Sequence, residues 1–138
     1  MARYFELRAV GESSFTAFDG SVAIMDITET LNVIDGEAAG RSRSGRMIRD
    51  PIGAYIGHKI TCKRLGTDTQ GLDRLWEWLK LHSCDDYVFL RAADGQSVIA
   101  YAAYYTTAER KLEYVHNGVN YWGEFTISFV PIDPQVRP

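Results

Sequence analysis

Cysteine is scarce in this sequence, and the two present, Cys62 and Cys84, stand too far apart for a paired-cysteine motif. A disulfide framework and a zinc ribbon are both excluded on that count. Three histidines, His58, His82 and His116, are scattered with no H-x-x-H spacing, so no metal site is expected and each is read as a surface or boundary residue. Long apolar runs are missing too. Nothing approaches the about 18–20 consecutive apolar residues that a membrane-spanning helix needs, and residues 1–10 alternate charged and apolar side chains where a signal peptide would have an apolar centre. The expectation is a protein made and kept in the cytosol, with no membrane partner. Positive charge is not in excess either: 15 Lys and Arg against 18 Asp and Glu leave a net charge of -3. A dedicated nucleic-acid binder gains its affinity by neutralising phosphates, so that class is disfavoured.

What is abundant is aromatic: 8 Tyr, 6 Phe and 3 Trp in 138 residues. Such side chains suit a pleated, half-buried surface and favour sheet over helical bundle. With 46% hydrophobic and 24% charged residues, the composition fits one globular core, and we read residues 1–138 as a single domain.

Alternation of apolar and polar residues marks strands over residues 4–10 and 22–34. In the second, Ala23, Met25, Ile27, Leu31 and Val33 fall on one face, expected to be buried, and Asp26, Thr28, Thr30 and Asn32 on the other. The next clear strand begins near Ala54 and runs to Arg64, with Ile56, Ile60 and Cys62 on one side. Thr67 with Gln70 has the form of a capping box ahead of Leu72, Leu75, Trp76 and Leu79, a helical stripe of about three turns. Further strands are expected over 87–91, 97–106, 112–115 and 121–130, with turns at Ala93-Asp94-Gly95, around residues 109–111 and at Asn117-Gly118. In the last strand Tyr121, Phe125, Ile127 and Phe129 share a packed row with Gly123. Pro131 and Pro134 then end the ladder. The expected fold class is mainly β (α+β): an antiparallel β-sandwich or barrel with one flanking α-helix.

Searches for chemistry return little. Cys84 lies beside Asp85 and Asp86, whose charge would raise a thiol pKa and weaken a nucleophile. Asp85 and Asp86 are adjacent, so they point apart rather than share a proton. Residues 36–45 hold glycines but lack the Lys-Ser/Thr ending of a phosphate loop. No catalytic residue, cofactor or metal ligand is assigned, and the chain is not read as an enzyme.

The conspicuous feature is a long inter-strand loop at about 35–53. It carries Arg41, Arg43, Arg46 and Arg49 against only Glu37 and Asp50, and mixes in Met47 and Ile48. It reads either as a solvated connection or as an arm that orders on a partner surface; the apolar residues favour the arm. Trp76 and Trp78 stand about 200° apart on the helix, so one can be core and the other a boundary. Trp78 is the candidate for a subunit contact.

The order of elements, the Asp35-Gly36-Glu37-x-x-Gly40-Arg41 loop, the Met47-Ile48-x-Asp50-x-Ile52-Gly53 entry and the terminal Tyr121-Trp122-x-x-Phe125-x-Ile127-x-Phe129 strand resemble small tail proteins of long-tailed bacteriophages and prophages, in the tail-tube and distal-tail group. The likeness covers most of the chain from about Val22. It implies a homo-oligomeric ring, hexameric in expectation, around a DNA channel, with other tail proteins as partners, DNA as passing cargo, and a place in the virion tail after synthesis in the host bacterial cytoplasm. It also implies that the loop reaches a neighbour, with Arg41, Arg43, Arg46 and Arg49 as contacts and Met47 and Ile48 as anchors. Tube, terminator, distal and baseplate-hub positions stay open. The alternative is a small β-barrel that binds a ligand, with Tyr101, Tyr104, Tyr105 and Trp122 lining a pocket.

Overall fold

The computed structural model describes residues 5–18, 20–35, 40–41, 45, 47–49 and 51–137. Along the chain it places β1 (Phe5–Arg8), β2 (Thr16–Ala17), β3 (Val22–Asp35), β4 (Gly40–Arg41), β5 (Met47–Ile48), β6 (Pro51–Arg64), α1 (Gln70–Leu81), β7 (Val88–Asp94), β8 (Ser97–Tyr104), β9 (Ala108–His116) and β10 (Val119–Pro131). All pairing among the described residues is antiparallel, and the sequence-based fold class holds.

Two layers face each other. One is ordered β2-β1-β7-β8, the other β3-β6-β10-β9, and β10 belongs to both. Its residues Phe125 to Phe129 pair β6 from Cys62 to His58, whereas Val130 and Pro131 turn across to pair Tyr104 and Ala103 of β8. Alternation builds the core: Phe125, Ile127 and Phe129 point inward, as do Val88, Leu90 and Ala92 from β7, Phe5 and Leu7 from β1, and Ile60 and Cys62 from β6. Leu72, Leu75 and Leu79 of α1 close one side, and Phe5 meets Phe18 and Phe129 ring to ring. The Asn117-Gly118 hairpin forms as expected, both residues taking positive φ of 51° and 75°.

Four expectations need correction. The helix starts at Gln70 with Thr69 at its cap. Asp68 Oδ1, not Thr67, accepts the Gln70 N–H at 3.0 Å, because Leu65 to Asp68 are used in the turn that leaves β6. Residues 109–111 are not a turn but lie inside β9, and the connection is the stretch just before Ala108. β6 begins at Pro51, at the start of a strand where a missing N–H is tolerated, and Asp35 pairs with Pro51. Finally, the apolar face of β3 is not the one its alternation indicates. A bulge between Ile24 and Asp26 shifts the parity, so Val22, Ile24 and Ile27 face inward while Met25 stands 48% exposed. Beyond Glu29 the β3–β6 ribbon outruns the layer facing it, and Leu31, Val33, Ile34 and Ile52 are all exposed.

Candidate assembly surfaces

The layer β3-β6-β10-β9 has two free margins. No strand among the described residues pairs the outer side of β3, and none pairs the outer side of β9. An unpaired margin presents a row of backbone donors and acceptors to solvent and is a template for another strand. Because four antiparallel strands separate these margins inclusively, β3 and β9 run in opposite directions. Along β9 every residue from Lys111 to His116 is exposed, including Leu112, Tyr114 and Val115. Tyr114 stacks on Tyr121 at 4.7 Å, and the Arg64 guanidinium covers both rings while pairing with Glu113 at 2.8 Å. Arg110 is held between Trp76 and Trp122, 4.6 and 4.1 Å from the ring centres, and paired with Asp73.

Within the long loop, β4 and β5 form a short hairpin in which Arg41 faces Met47 and Gly40 faces Ile48 along the backbone. Arg49 is exposed. Arg43 and Arg46 lie outside the described residues, as do the side chains of Arg41, Met47 and Ile48. Trp78 is on α1, away from this hairpin in the chain, and half-buried. Its ring meets Phe18 edge-on and tilts over His82 at 4.5 Å, and its indole N–H is buried with no hydrogen-bond partner among the described residues. Both Trp76 and Trp78 thus pack against the core rather than dividing between core and boundary.

Sequence reading missed His58. It was expected at the surface or a boundary and is only 2% exposed. The signal was available, since His58 falls in the same inward row of β6 as Ile60 and Cys62. Nε2 meets the Ala93 carbonyl at 2.9 Å; a carbonyl can only accept, so Nε2 carries the proton and Nδ1 accepts from the Tyr101 hydroxyl at 2.6 Å. Glu29 Oε2 stands 3.6 Å from the same Nε2. Burial lowers the His58 pKa below the usual imidazole value, only partly opposed by the Ala93 carbonyl and the charge of Asp94. Burial, then a hydrogen bond and charge from Asp94, raise the Glu29 carboxyl above its ordinary range. Burial also raises the Tyr101 phenol, and it lifts the Cys62 thiol to about 12. Both ring nitrogens are engaged, so the cluster acts as a polar rivet joining β3 and β6 to β7 and β8.

A second feature unseen in the sequence is the path of residues 132–137. Once β10 turns away, the margin of β6 above His58 would be bare. The Ala54 N–H donates to the Val136 carbonyl at 2.8 Å, and the Gln135 side chain both accepts from the Ile56 N–H and donates to the Ile56 carbonyl, each at 2.9 Å. Gly53 makes room: a Cβ there would stand 2.6 Å from Pro134 and from the Val136 carbonyl.

The four aromatics of a ligand pocket do not converge. Tyr101 is buried against His58, the Tyr105 hydroxyl donates to the Leu79 carbonyl at 2.6 Å, and Trp122 lies under Arg110. Tyr104 lines an open groove of about 520 Å³ with Thr30, Asn32, Tyr55, Val130 and Pro131, and Tyr105 a separate one of about 200 Å³ with Trp76 and Leu79.

No protein-family model matches the sequence, and no curated protein matches it. Solved structures do. A chain from the tail of an empty gene transfer agent particle, computed with helical refinement and C6 symmetry, aligns with a TM-score of 0.56 at 11% identity, covering 94% of this chain and 90% of that one. A chain of the native gene transfer agent virion aligns at 0.52 and 10% identity, over 94% and 91%. The SPP1 tail tube, solved by solid-state NMR and cryo-EM, aligns at 0.50 and 14% identity, over 94% and 73%. A mainly β sandwich with one flanking helix, spanned almost end to end by these matches, has the fold of phage-type tail and tail-tube chains.

Proposed function

We propose that this protein is a structural, non-enzymatic component of a phage or prophage tail, of the tube, distal-tail or hub type, and that copies of it form a ring around the DNA channel. The observation that carries this reading is the four-stranded layer with two free margins of opposite direction. Rotation about an axis running roughly along the strands leaves each strand's direction unchanged. The β3 margin of one copy therefore meets the β9 margin of the next antiparallel, and repetition closes a continuous sheet with no free edge. The C6 symmetry of the gene transfer agent tail that the chain resembles supports six copies. A net charge of -3 suits a conduit, because a wall that gripped phosphates would hold DNA rather than pass it. Mass by light scattering over a concentration series, with negative-stain images, tests the reading. The wild type is expected to give rings or stacked tubes. Met25→Lys with Leu31→Lys, both at exposed positions of β3, is expected to leave the circular dichroism unchanged and the protein monomeric. A wild type that stays monomeric at every concentration, alone and with its tail partners, would sink the ring.

A further inference from the structure

Where β10 leaves β6, residues 133–137 take over the vacated margin by an unusual means. One isolated bridge joins Ala54 to Val136, and beside it the Gln135 side-chain amide makes the two hydrogen bonds that a strand's backbone would make to Ile56. Little apolar surface is locked in with it: Val136 is 53% exposed, and Ile132 at the root is 38% exposed. The root itself is fixed, since the Ile132 N–H donates to the Ala102 carbonyl at 3.1 Å and continues the β10–β8 pairing. The segment beyond it is thus a short arm on a firm base, held by hydrogen bonds that water or another chain can replace at small net cost.

We propose that residues 133–137 are an exchangeable arm, bound to β6 of its own chain in the free subunit and to β6 of a second copy in the assembly. This rests on the reading that copies pack side by side. The occupant is specified by the structure: the sequence shown to fit this margin is Pro134-Gln135-Val136, with Gly53 bare of a side chain beneath it, and every copy carries both halves. Exchange between copies keeps each bond and changes only which chain supplies it, which makes it a low-barrier route to linking subunits. Five extended residues reach about 17 Å from the root, so the receiving β6 must lie within that distance.

Cysteine pairs decide it, in a Cys84→Ser background that leaves only the buried Cys62. Ala54 and Val136 exchange two backbone hydrogen bonds, at 2.8 and 3.3 Å, and are suitably placed for a disulfide. The double variant Ala54→Cys with Val136→Cys is expected to close within one chain as a monomer. One preparation carrying only Ala54→Cys is then mixed with another carrying only Val136→Cys, assembled and oxidised. A cross-linked dimer of the two chains is expected on a non-reducing gel, and is expected to be absent when Thr67→Cys, in the turn beyond the far end of β6, replaces Ala54→Cys. Rings that form without the mixed dimer overturn the exchange and leave the ring reading standing. A mixed dimer without rings upholds exchange and removes the ring, and neither rings nor mixed dimer overturns both.

Discussion

At the scale of single residues, two positions carry constraints that the sequence does not announce. Gly71, in the first turn of α1, has the Ser21 backbone carbonyl where a Cβ would sit. Alanine normally improves a helix, but here the neighbour is backbone and cannot rotate away. Gly71→Ala is therefore expected to destabilise the fold by about 1–3 kcal/mol, read from the urea midpoint. His58 gives a pH effect of defined sign. Its folded pKa lies below the ordinary 6.5, so as pH falls through 6.5 the unfolded chain takes up a proton that the folded chain refuses. Stability present above that pH is lost on acidification, down to the lower folded pKa. Glu29, raised from 4.5, works the other way: the folded chain takes its proton first, which favours the fold as pH falls towards 4.5. His58→Gln is expected to cost about 1–3 kcal/mol at pH 7.5, since Tyr101 and the Ala93 carbonyl lose partners. Between pH 7.5 and 5.5 it is expected to decline less than the wild type in parallel urea titrations. An equal or steeper decline in the variant would show that the proton-linked loss arises elsewhere.

Elements were more legible than their ends. β7, β10 and the Leu72, Leu75 and Leu79 stripe follow from periods of 2 and 3.6, which local sequence expresses directly. The bulge at Met25 does not, because an extra residue inverts parity only when a partner strand fixes the register. The cap misplacement has a similar origin: Thr67 and Asp68 are equally good formers of local hydrogen bonds, and the path of the chain out of β6 chooses between them. The Arg-rich segment read as an arm holds the small β4–β5 hairpin at the tip of the β3–β6 ribbon. Replacing residues 41–49 by a short Gly-Ser link leaves every core residue in place. The expected outcome is an unchanged melting temperature with loss of the oligomer, followed by light scattering; an oligomer of unaltered mass would remove these arginines from the interface.

For the whole molecule, the sandwich and its helix were readable, whereas the free margins of its layers were not. Which strands end up at the margins of a layer depends on long-range pairing, and β6 lies between β3 and β10 only because residues far apart in sequence meet. His58 shows the same limit. Its row was visible, but its partners come from three other strands, and no spacing in the sequence brings Glu29, Ala93 and Tyr101 together. The free margins of β3 and β9 escape the sequence for a related reason: an edge is a property of topology, not of any residue type.

One consequence follows from β10 serving both layers. Two sheets that only lean on each other can slide, since apolar contact resists separation far better than shear. Here a single continuous strand is hydrogen-bonded to β6 along part of its length and to β8 along the rest. Sliding one layer over the other would break that ladder, so a force applied to one layer is passed to the other through the backbone of β10.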